Sequence, residues 1–265
     1  MSSELATEEK PKPLHVQLGT LLERMKPQMA LALPKHLTPD RMARLTLTEF
    51  NKNKALQACK FESIIACVMT ASQLGLEIGV LGQAYMIPYG DTATFVPGWK
   101  GLIDINSRSR RSSVWTGAVF EGDEFDWELG DSPRIKHKPC GESDPRKMTF
   151  AYAVGRINGT DYPIVECWTN ERLTAHRQQF NKVGTKHYSY SNWEMYCRKV
   201  VLLQVLKYLP ASIEMSAAIE ISHAAEDGRN TTIDASFVVI DNAPAANIAS
   251  DAAQSKRSEP IGAPK

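Results

Sequence analysis

Apolar residues recur at three- and four-residue intervals in the first third of the chain, which predicts amphipathic helices. One such segment covers residues 16–33, and Pro27 is expected to interrupt it. The next begins at Thr38, a hydroxyl N-cap followed by a proline at the first helical position and then an acid. A third covers residues 61–74 and is expected to end at Gly75.

The centre of the chain alternates apolar and polar residues, which predicts strands. Gly90-Asp91 is typical of a two-residue hairpin connection, and Asn158-Gly159 is the strongest type I′ turn signal in the sequence. The predicted strands are residues 83–89, 92–97, 113–120, 124–129, 147–157 and 161–167.

Helical patterns return between and after these strands. The order of helices, hairpin-connected strands and helices predicts an α+β fold, with an antiparallel sheet built from hairpins and covered by helices. Residues 14–225 are predicted to form the core, preceded by a disordered lead (1–13) and followed by a flexible acidic tail (226–265). The further predicted helices are residues 99–109, 169–180, 192–209 and a short one ending near residue 225.

The formal net charge of +1 is unevenly distributed. From Glu214 onward the chain has eight acidic and four basic side chains, a charge of −4, so residues 1–213 carry +5. A basic body suits a polyanionic partner such as nucleic acid, and we interpret the acidic tail as a segment that docks a partner protein.

Cysteine usage and apolar run length indicate the compartment. The five cysteines are widely spaced and form no C-x-x-C pair, so we expect buried, reduced thiols rather than zinc ligands. Residues 1–13 lack the apolar core of a signal peptide, and no apolar run approaches the roughly 20 residues of a membrane helix. We therefore expect a cytoplasmic protein with no membrane partner.

Basic residues cluster near aromatic residues in two places. The first is Gly98-Trp99-Lys100-Gly101, where glycines permit close backbone approach and an indole can stack on a base. The second is the segment 177–207, where cations alternate with tyrosines and a tryptophan, as sequence-tolerant binding of single strands requires. The candidate DNA-binding residues are Trp99, Lys100, Arg108, Arg110, Arg111, Lys136, Lys138, Lys182, Lys186, Arg198, Lys199 and Lys207.

Each group also has a purely structural interpretation. Trp99 and the aromatic residues of the last long helix could be core side chains. The three arginines are expected to end the helix that Trp99 begins, and one or two of them could simply stabilise its carboxyl end. The basic stretch 134–138 is expected to lie in a loop, where solvation alone would explain its charge.

The sequence contains no recognisable catalytic motif. The glycines between residues 75 and 82 lack the Lys-Ser/Thr ending of a phosphate-binding loop, and the six histidines are far apart. Glu124, Asp126 and Glu128 share one face of a strand and could in principle hold magnesium, which leaves a magnesium-dependent nuclease as an alternative. A solvated strand face explains these acids better. We expect no catalytic residue, no metal site and no required cofactor, with magnesium as a potential modulator.

Several short motifs occur in order along the chain, at residues 32–38, 41–42, 72–77, 82–85, 87–90, 98–104, 121–125 and 207–214. In this order and at this spacing they resemble the RecT family of phage and prophage single-strand annealing recombinases. The resemblance covers about residues 30–215.

The resemblance implies an ATP-independent protein that coats single-stranded DNA, pairs it with a complementary strand and holds the new duplex. It also implies a homo-oligomeric ring or helical filament, a partner exonuclease, a host single-strand-binding protein as a second partner, and a phage or prophage gene in a bacterial host. A passive single-strand-coating protein remains an alternative.

Some positions match the family pattern and others depart from it. The positions of Lys100, Arg108, Arg198, Lys199 and Lys207 are basic in the family. Leu203-Gln204 stands where a basic pair is frequent, and Arg110 replaces a family glycine. At these two places the resemblance therefore does not indicate which residues would contact phosphate.

Overall fold

A computed structural model describes residues 13–79, 81–227 and 229. Eight α-helices and seven β-strands occur in the described residues. The helices are α1 (Leu14–Ala32), α2 (Pro39–Lys52), α3 (Lys54–Gln57), α4 (Phe61–Leu74), α5 (Trp99–Arg108), α6 (Asn170–Phe180), α7 (Trp193–Leu206) and α8 (Ile213–Glu226). The strands are β1 (Ala84–Tyr89), β2 (Thr92–Pro97), β3 (Ser112–Phe120), β4 (Glu124–Glu128), β5 (Arg134–Lys138), β6 (Met148–Ile157) and β7 (Ile164–Thr169).

The α+β prediction is confirmed, because every pairing between named strands is antiparallel. The strands form three separate sheets rather than one: the pair β1-β2, the three-stranded sheet β3-β6-β7 and the pair β4-β5. Helix α7 packs across the three-stranded sheet, while α4 and α8 pack against β2. The core therefore lies between helices and hairpins.

The predictions for the N-terminal helices are confirmed with one correction. The Thr38 hydroxyl accepts a hydrogen bond from the Arg41 amide at 3.3 Å, and α4 is followed by Gly75 with φ 63°. Pro27, however, lies inside a continuous α1 rather than interrupting it. Burial of Leu18 and Met29 on either side of the proline holds the helix against its neighbours, and this packing outweighs the lost backbone hydrogen bond.

One of the two predicted hairpin turns is wrong. Tyr89 pairs with Thr92, so Gly90 and Asp91 form the expected two-residue connection. Asn158 and Gly159 do form a turn, closed by the hydrogen bond from the Thr160 amide to the Ile157 carbonyl at 3.1 Å, but only Gly159 has a positive φ, whereas type I′ requires one at both residues. Strand β7 begins only at Ile164, so the connection is longer than the predicted one.

The basic stretch 134–138 is a strand, not the predicted loop. Strand β5 pairs with β4, so each apolar or aromatic side chain of one strand faces its partner on the other, as in Phe125 opposite His137. Phe125 and Ile135 pack against a small core around Tyr152. The period-two pattern of β5 is hidden in the sequence because its inward residues are an isoleucine and a histidine.

The glycines flanking Trp99 are required by close backbone contact. The chain at residues 82–83 crosses directly over the first turn of α5. A Cβ on Gly98 would collide with the Gly82 carbonyl oxygen, and one on Gly101 with the Gln83 carbonyl oxygen. The Gly98 amide donates to the Gln83 carbonyl at 2.8 Å, which fixes this contact. The Gly-Trp-Lys-Gly motif is therefore a packing motif that positions Trp99 and Lys100.

Three further predictions have these outcomes. Cys59, Cys67, Cys167 and Cys197 are buried free thiols, but Cys140 is exposed, because it follows an edge hairpin. No helix among the described residues has the length and apolarity to span a membrane. The predicted disordered lead (1–13) and flexible tail (226–265) fall mostly on residues 1–12, 228 and 230–265, which lie outside the described residues, although Glu226 still belongs to α8.

We expect Gly101→Ala to destabilise the protein by about 2–3 kcal/mol, because the new methyl group has to displace backbone rather than a flexible side chain. Chemical unfolding measures this loss. Gly19→Ala is the matched control: Gly19 lies in α1 with only Leu47 nearby at 3.9 Å, so the change should stabilise by about 0.5–1 kcal/mol. Equal effects of the two variants would contradict the backbone-contact explanation.

Candidate nucleic-acid interface

Two predicted cations meet on the indole of Trp99. The Lys100 ammonium lies 5.6 Å from the ring centroid, and the Arg198 guanidinium lies 5.4 Å from it. The indole nitrogen donates to the Met195 sulfur at 3.0 Å, which connects the start of α5 to α7. Trp99 is half-buried rather than a core side chain. Segments about a hundred residues apart in sequence thus form one aromatic and basic patch.

Arg198 is held in place by protein groups. Its guanidinium donates to Glu194 at 2.8 Å and to the Thr116 carbonyl at 3.2 Å, and its side chain is 22% exposed. These contacts fix its orientation over Trp99. Arg198 therefore contributes an immobilised positive charge to the patch, with one carboxylate already beside it.

Lys199 does not lie on the surface, although we predicted it there. The residue is 2% exposed, because consecutive residues on a helix point about 100° apart and Arg198 faces outward. Burial lowers the pKa of Lys199 to about 8, while the nearby Glu226 opposes this shift. The residue is one of those that line a cavity, together with Trp99 and Lys186.

The loop between α6 and α7 adds Lys182 and Lys186. Both side chains are exposed, and the Lys182 ammonium donates to the Gln179 carbonyl at 3.2 Å. Lys186 lies at the edge of the cavity beside Trp99. Among the described residues no acid forms an ion pair with Lys100 or Lys186, so both charges are available to an anionic ligand.

The arginines after Trp99 lie at the far end of α5, and only one of them belongs to the helix. Arg108 donates to the Leu74 carbonyl at 2.8 Å and pairs with Asp104 at 3.2 Å, so it secures the end of α4. Helix α5 ends there, one residue before the predicted end at 109, so Arg110 and Arg111 follow the helix instead of forming its last turn. Arg110 has φ 54°, the one positive value among the described non-glycine residues.

Lys136 and Lys138 lie on β5, opposite the acids of β4. Glu124 pairs with Lys138 at 2.8 Å and with Lys136 at 3.6 Å, and Arg134 pairs with Glu128 at 3.2 Å. The acidic face that suggested a magnesium site is thus matched by cross-strand cations. No group of three potential metal ligands occurs in the described part of the chain.

Lys207 follows the end of α7, where its ammonium donates to the Gln204 side chain at 2.7 Å and stays exposed. The structure thus brings five of the predicted residues around one cavity and places the others elsewhere. The five are Trp99, Lys100, Lys186, Arg198 and Lys199. Those placed elsewhere are Arg108, Arg110, Arg111, Lys136, Lys138, Lys182 and Lys207.

A second aromatic feature borders this patch. The Arg177 guanidinium lies 4.4 Å from the ring of Tyr190 and 4.4 Å from that of Trp193, so it stacks between them. Tyr190 is half exposed. Sequence reasoning identified the mixture of cations and aromatics in this segment but not the sandwich, because a loop of two short 3-10 turns brings Tyr190 over α6.

Sequence reasoning also missed Tyr85 and Met195, which line the cavity beside Trp99 together with Tyr188 of the segment 177–207. Tyr85 precedes Met195 by more than a hundred positions, so no local spacing connects them. One signal was present: Tyr85 belongs to a strand but carries a large aromatic side chain on the solvent-facing register, where it is 40% exposed.

Comparison with known proteins identifies relatives. A family model described as RecT family matches residues 40–235. Protein RecT of Escherichia coli (strain K12) is 33% identical over 234 residues, which covers 82% of this chain and 85% of that protein. Uncharacterized protein YqaK of Bacillus subtilis (strain 168) is 31% identical over 179 residues, which covers 65% of this chain and 60% of that protein.

We expect Arg110→Gly to raise the free energy of unfolding by about 0.5–1 kcal/mol, because glycine adopts a positive φ without steric cost. Arg111→Gly removes the same charge at a neighbour without a positive φ, so it should be neutral or destabilising. Thermal unfolding of both variants measures the difference. A loss of stability in Arg110→Gly would mean that contacts of the Arg110 side chain stabilise the fold by more than the positive φ costs.

Acid should destabilise the fold through buried histidines. Burial is the main cause that lowers the pKa of His176 and of His187 to about 4, from an ordinary 6.5. Between pH 6.5 and pH 4 the unfolded chain therefore binds more protons than the folded chain. The free energy of unfolding decreases as the pH falls through this range. His187→Asn should reduce the loss between about pH 7 and pH 5 by on the order of 1–2 kcal/mol.

Denaturant titrations at the two pH values measure this effect. His15→Asn, at an exposed position of α1, is the control and should leave the loss unchanged. If His187→Asn lost as much stability at acidic pH as the wild type, His187 would not be a cause of the acid destabilisation.

Proposed function

The chain belongs to the RecT family, and from this premise we propose that it is an ATP-independent protein that binds single-stranded DNA and anneals complementary strands in homologous recombination. Family membership supports a recombination or annealing protein. The single-strand preference, the pairing activity and the lack of an ATP requirement are the parts that we propose.

The convergence of Lys100 and Arg198 on Trp99 is the observation that carries the proposal. An aromatic face flanked by cations suits a single strand, because every nucleotide offers one base face and one phosphate. The exposed Lys186 extends the positive charge along the same cavity edge. Such a surface binds without reading sequence, as annealing of arbitrary strands requires.

The proposed mechanism is electrostatic and conformational. Lysine and arginine side chains neutralise phosphates and so reduce repulsion between two polyanionic strands. Trp99 holds the bound strand extended by contact with a base face, which leaves base edges available for pairing. No group on the chain needs to break a covalent bond, so we propose a non-catalytic protein that requires no cofactor, with magnesium as a potential modulator.

A single patch contacts only a few nucleotides, so we propose that protomers assemble into a ring or helical filament whose patches form one track. The cations outside the patch are candidates for contacts with the strand between neighbouring protomers. Arg110, Arg111, Lys182 and Lys207 are the exposed members that lack an acidic partner among the described residues. Lys136 and Lys138 already pair with Glu124 and would have to exchange it for phosphate.

The wider setting is also a proposal. Single strands for annealing require resection of a duplex, so we propose a partner exonuclease, and a host single-strand-binding protein that occupies the same substrate. The acidic segment 226–265 is the proposed docking site for one of these partners. A phage or prophage gene acting in the bacterial cytoplasm fits this set of partners.

We expect the protein to accelerate annealing of complementary oligonucleotides at low salt, measured by fluorescence quenching between end labels. The logarithm of affinity should fall by about 0.7 per logarithmic unit of salt for each phosphate neutralised. Lys100→Ala should reduce this slope by about 0.7 and slow annealing several-fold.

The matched control is Lys147→Ala, because Lys147 pairs with Glu142 outside the patch. It should leave both the slope and the annealing rate unchanged. Tight binding that slows annealing would favour the passive coating alternative, and equal effects of the two lysine variants would remove Lys100 from the interface.

A further inference from the structure

A second open cleft, of about 500 Å³, lies between α6, residues 145–146 and the start of α7. It shares Ser191, Asn192 and Met195 with the cavity beside Trp99, so the two adjoin along this exposed segment. Met195 is 43% exposed, and its sulfur accepts the hydrogen bond of the Trp99 indole. A strand that is bound at Trp99 and continues past Met195 would therefore enter this second cleft, which we call the Arg177 cleft.

Arg177 is a cation of this cleft that forms no ion pair with a described residue. Its guanidinium lies between the rings of Tyr190 and Trp193. Its Nε atom is buried and lacks a partner, whereas its two terminal nitrogens are accessible and donate to no described residue. A guanidinium that stacks on aromatic rings keeps its edge free, and this edge matches two oxygens of a phosphate.

The two rings that hold Arg177 are themselves fixed by hydrogen bonds. The Trp193 indole donates to the Asn170 side chain at 3.0 Å, which connects the start of α7 to α6. The Tyr190 amide donates to the His187 carbonyl at 3.1 Å within the short turn before α7. Aromatic neighbours rather than a carboxylate thus set the orientation of the arginine. An anionic ligand would bind it without displacing an acid.

Tyr190 adds an aromatic surface beside this charge. Arg177 covers one face of its ring, and the residue remains 50% exposed. An exposed ring stacks on any base, because every base has a π-face. Glu194 is the one acid among the described residues that line the cleft, and it pairs with Arg198 at 2.8 Å. Arg146 adds an exposed cation, so the charge of the lining favours an anion.

We propose that the Arg177 cleft binds a further nucleotide of the strand that Trp99 contacts, with Arg177 donating to its phosphate and Tyr190 stacking on its base. The proposal rests on the proposed function, because it continues the same strand across Met195. An acidic peptide would use the charge of Arg177 but not the exposed ring, whereas a nucleotide uses both. Two contacts on one protomer hold the strand extended between them.

The salt dependence of oligothymidylate binding, measured by fluorescence anisotropy, tests the phosphate contact. We expect Arg177→Met to lower the slope by about 0.7, the contribution of one neutralised phosphate. Combined with Lys100→Ala it should lower the slope by about 1.4, because both phosphates are bound in the same complex. Arg172→Met is the matched control. Arg172 stacks on Trp168, 3.7 Å from the ring centroid, on the same helix but outside the cleft, so its loss should leave the slope unchanged.

A comparison of two oligonucleotides tests the base contact. Tyr190→Leu should weaken binding of an oligothymidylate at least about fivefold and leave binding of an abasic oligonucleotide of equal length unchanged. Tyr190→Phe keeps the ring and should bind both as the wild type does. Tyr162→Leu changes an exposed tyrosine in the connection between β6 and β7, outside the cleft, and should alter neither affinity.

The outcomes separate this proposal from the proposed function. A wild-type slope for Arg177→Met, or equal losses on the two oligonucleotides for Tyr190→Leu, would overturn the cleft proposal, while salt-sensitive annealing by the wild type would keep the proposed function. If the wild type binds neither oligonucleotide, both proposals are wrong. Circular dichroism checks that each variant folds. Should Arg177→Met fail to fold, the surface change Tyr190→Leu decides the proposal by the comparison of the two oligonucleotides.

Discussion

Close contact between the backbone at residues 82–83 and the first turn of α5 is the constraint on which the candidate interface depends. Only glycine at positions 98 and 101 allows this approach, and the approach sets the position of Trp99 between them. From there the indole reaches Met195, and Lys100 and Arg198 reach the indole. A shift of α5 by the width of one methyl group would separate these groups and open the cavity wall. The packing of the motif therefore also determines the geometry of the candidate interface.

Local pairing determines which cations remain available. Arg198, Arg108 and the cations of β5 each form an ion pair, whereas Lys100 and Lys186 form none with a described residue. Exposed ion pairs contribute only about 0–1 kcal/mol, so a phosphate could replace the acid of Lys136 or Lys138 at little cost. Arg198 differs because the Thr116 carbonyl and Glu194 hold it in one orientation. The patch thus combines fixed and mobile charge, as the proposed binding of a strand of variable sequence and conformation requires.

The helices and most hairpins could be predicted from sequence because their signals are local. Thr38 with its following proline, Gly75 and Gly90-Asp91 each act within a few residues, and each prediction was confirmed. Predictions failed where a distant group competes with local preference. Asn158 bonds to the segment after α5 and forms a turn with Gly159 that is not type I′, and β5 forms because the acids of β4 lie opposite its cations. For the candidate site, composition identified the two segments that meet at Trp99, but the direction of each side chain depends on helix rotation, which turns Arg198 outward and Lys199 towards the interior.

The buried lysine is difficult to explain by stability. Replacing a buried charge with an apolar residue of similar size is often neutral or stabilising, and Lys199 lacks even the hydrogen bonds that would offset its desolvation. Several polar groups near it, including Tyr188, His187 and Glu226, are also buried with atoms that lack partners in the described residues. Such clusters are uncommon in well-packed interiors, where nearly all buried polar atoms are bonded. The attraction between Lys199 and Glu226 offsets only part of this cost, because burial raises the pKa of Glu226 and so favours its neutral form.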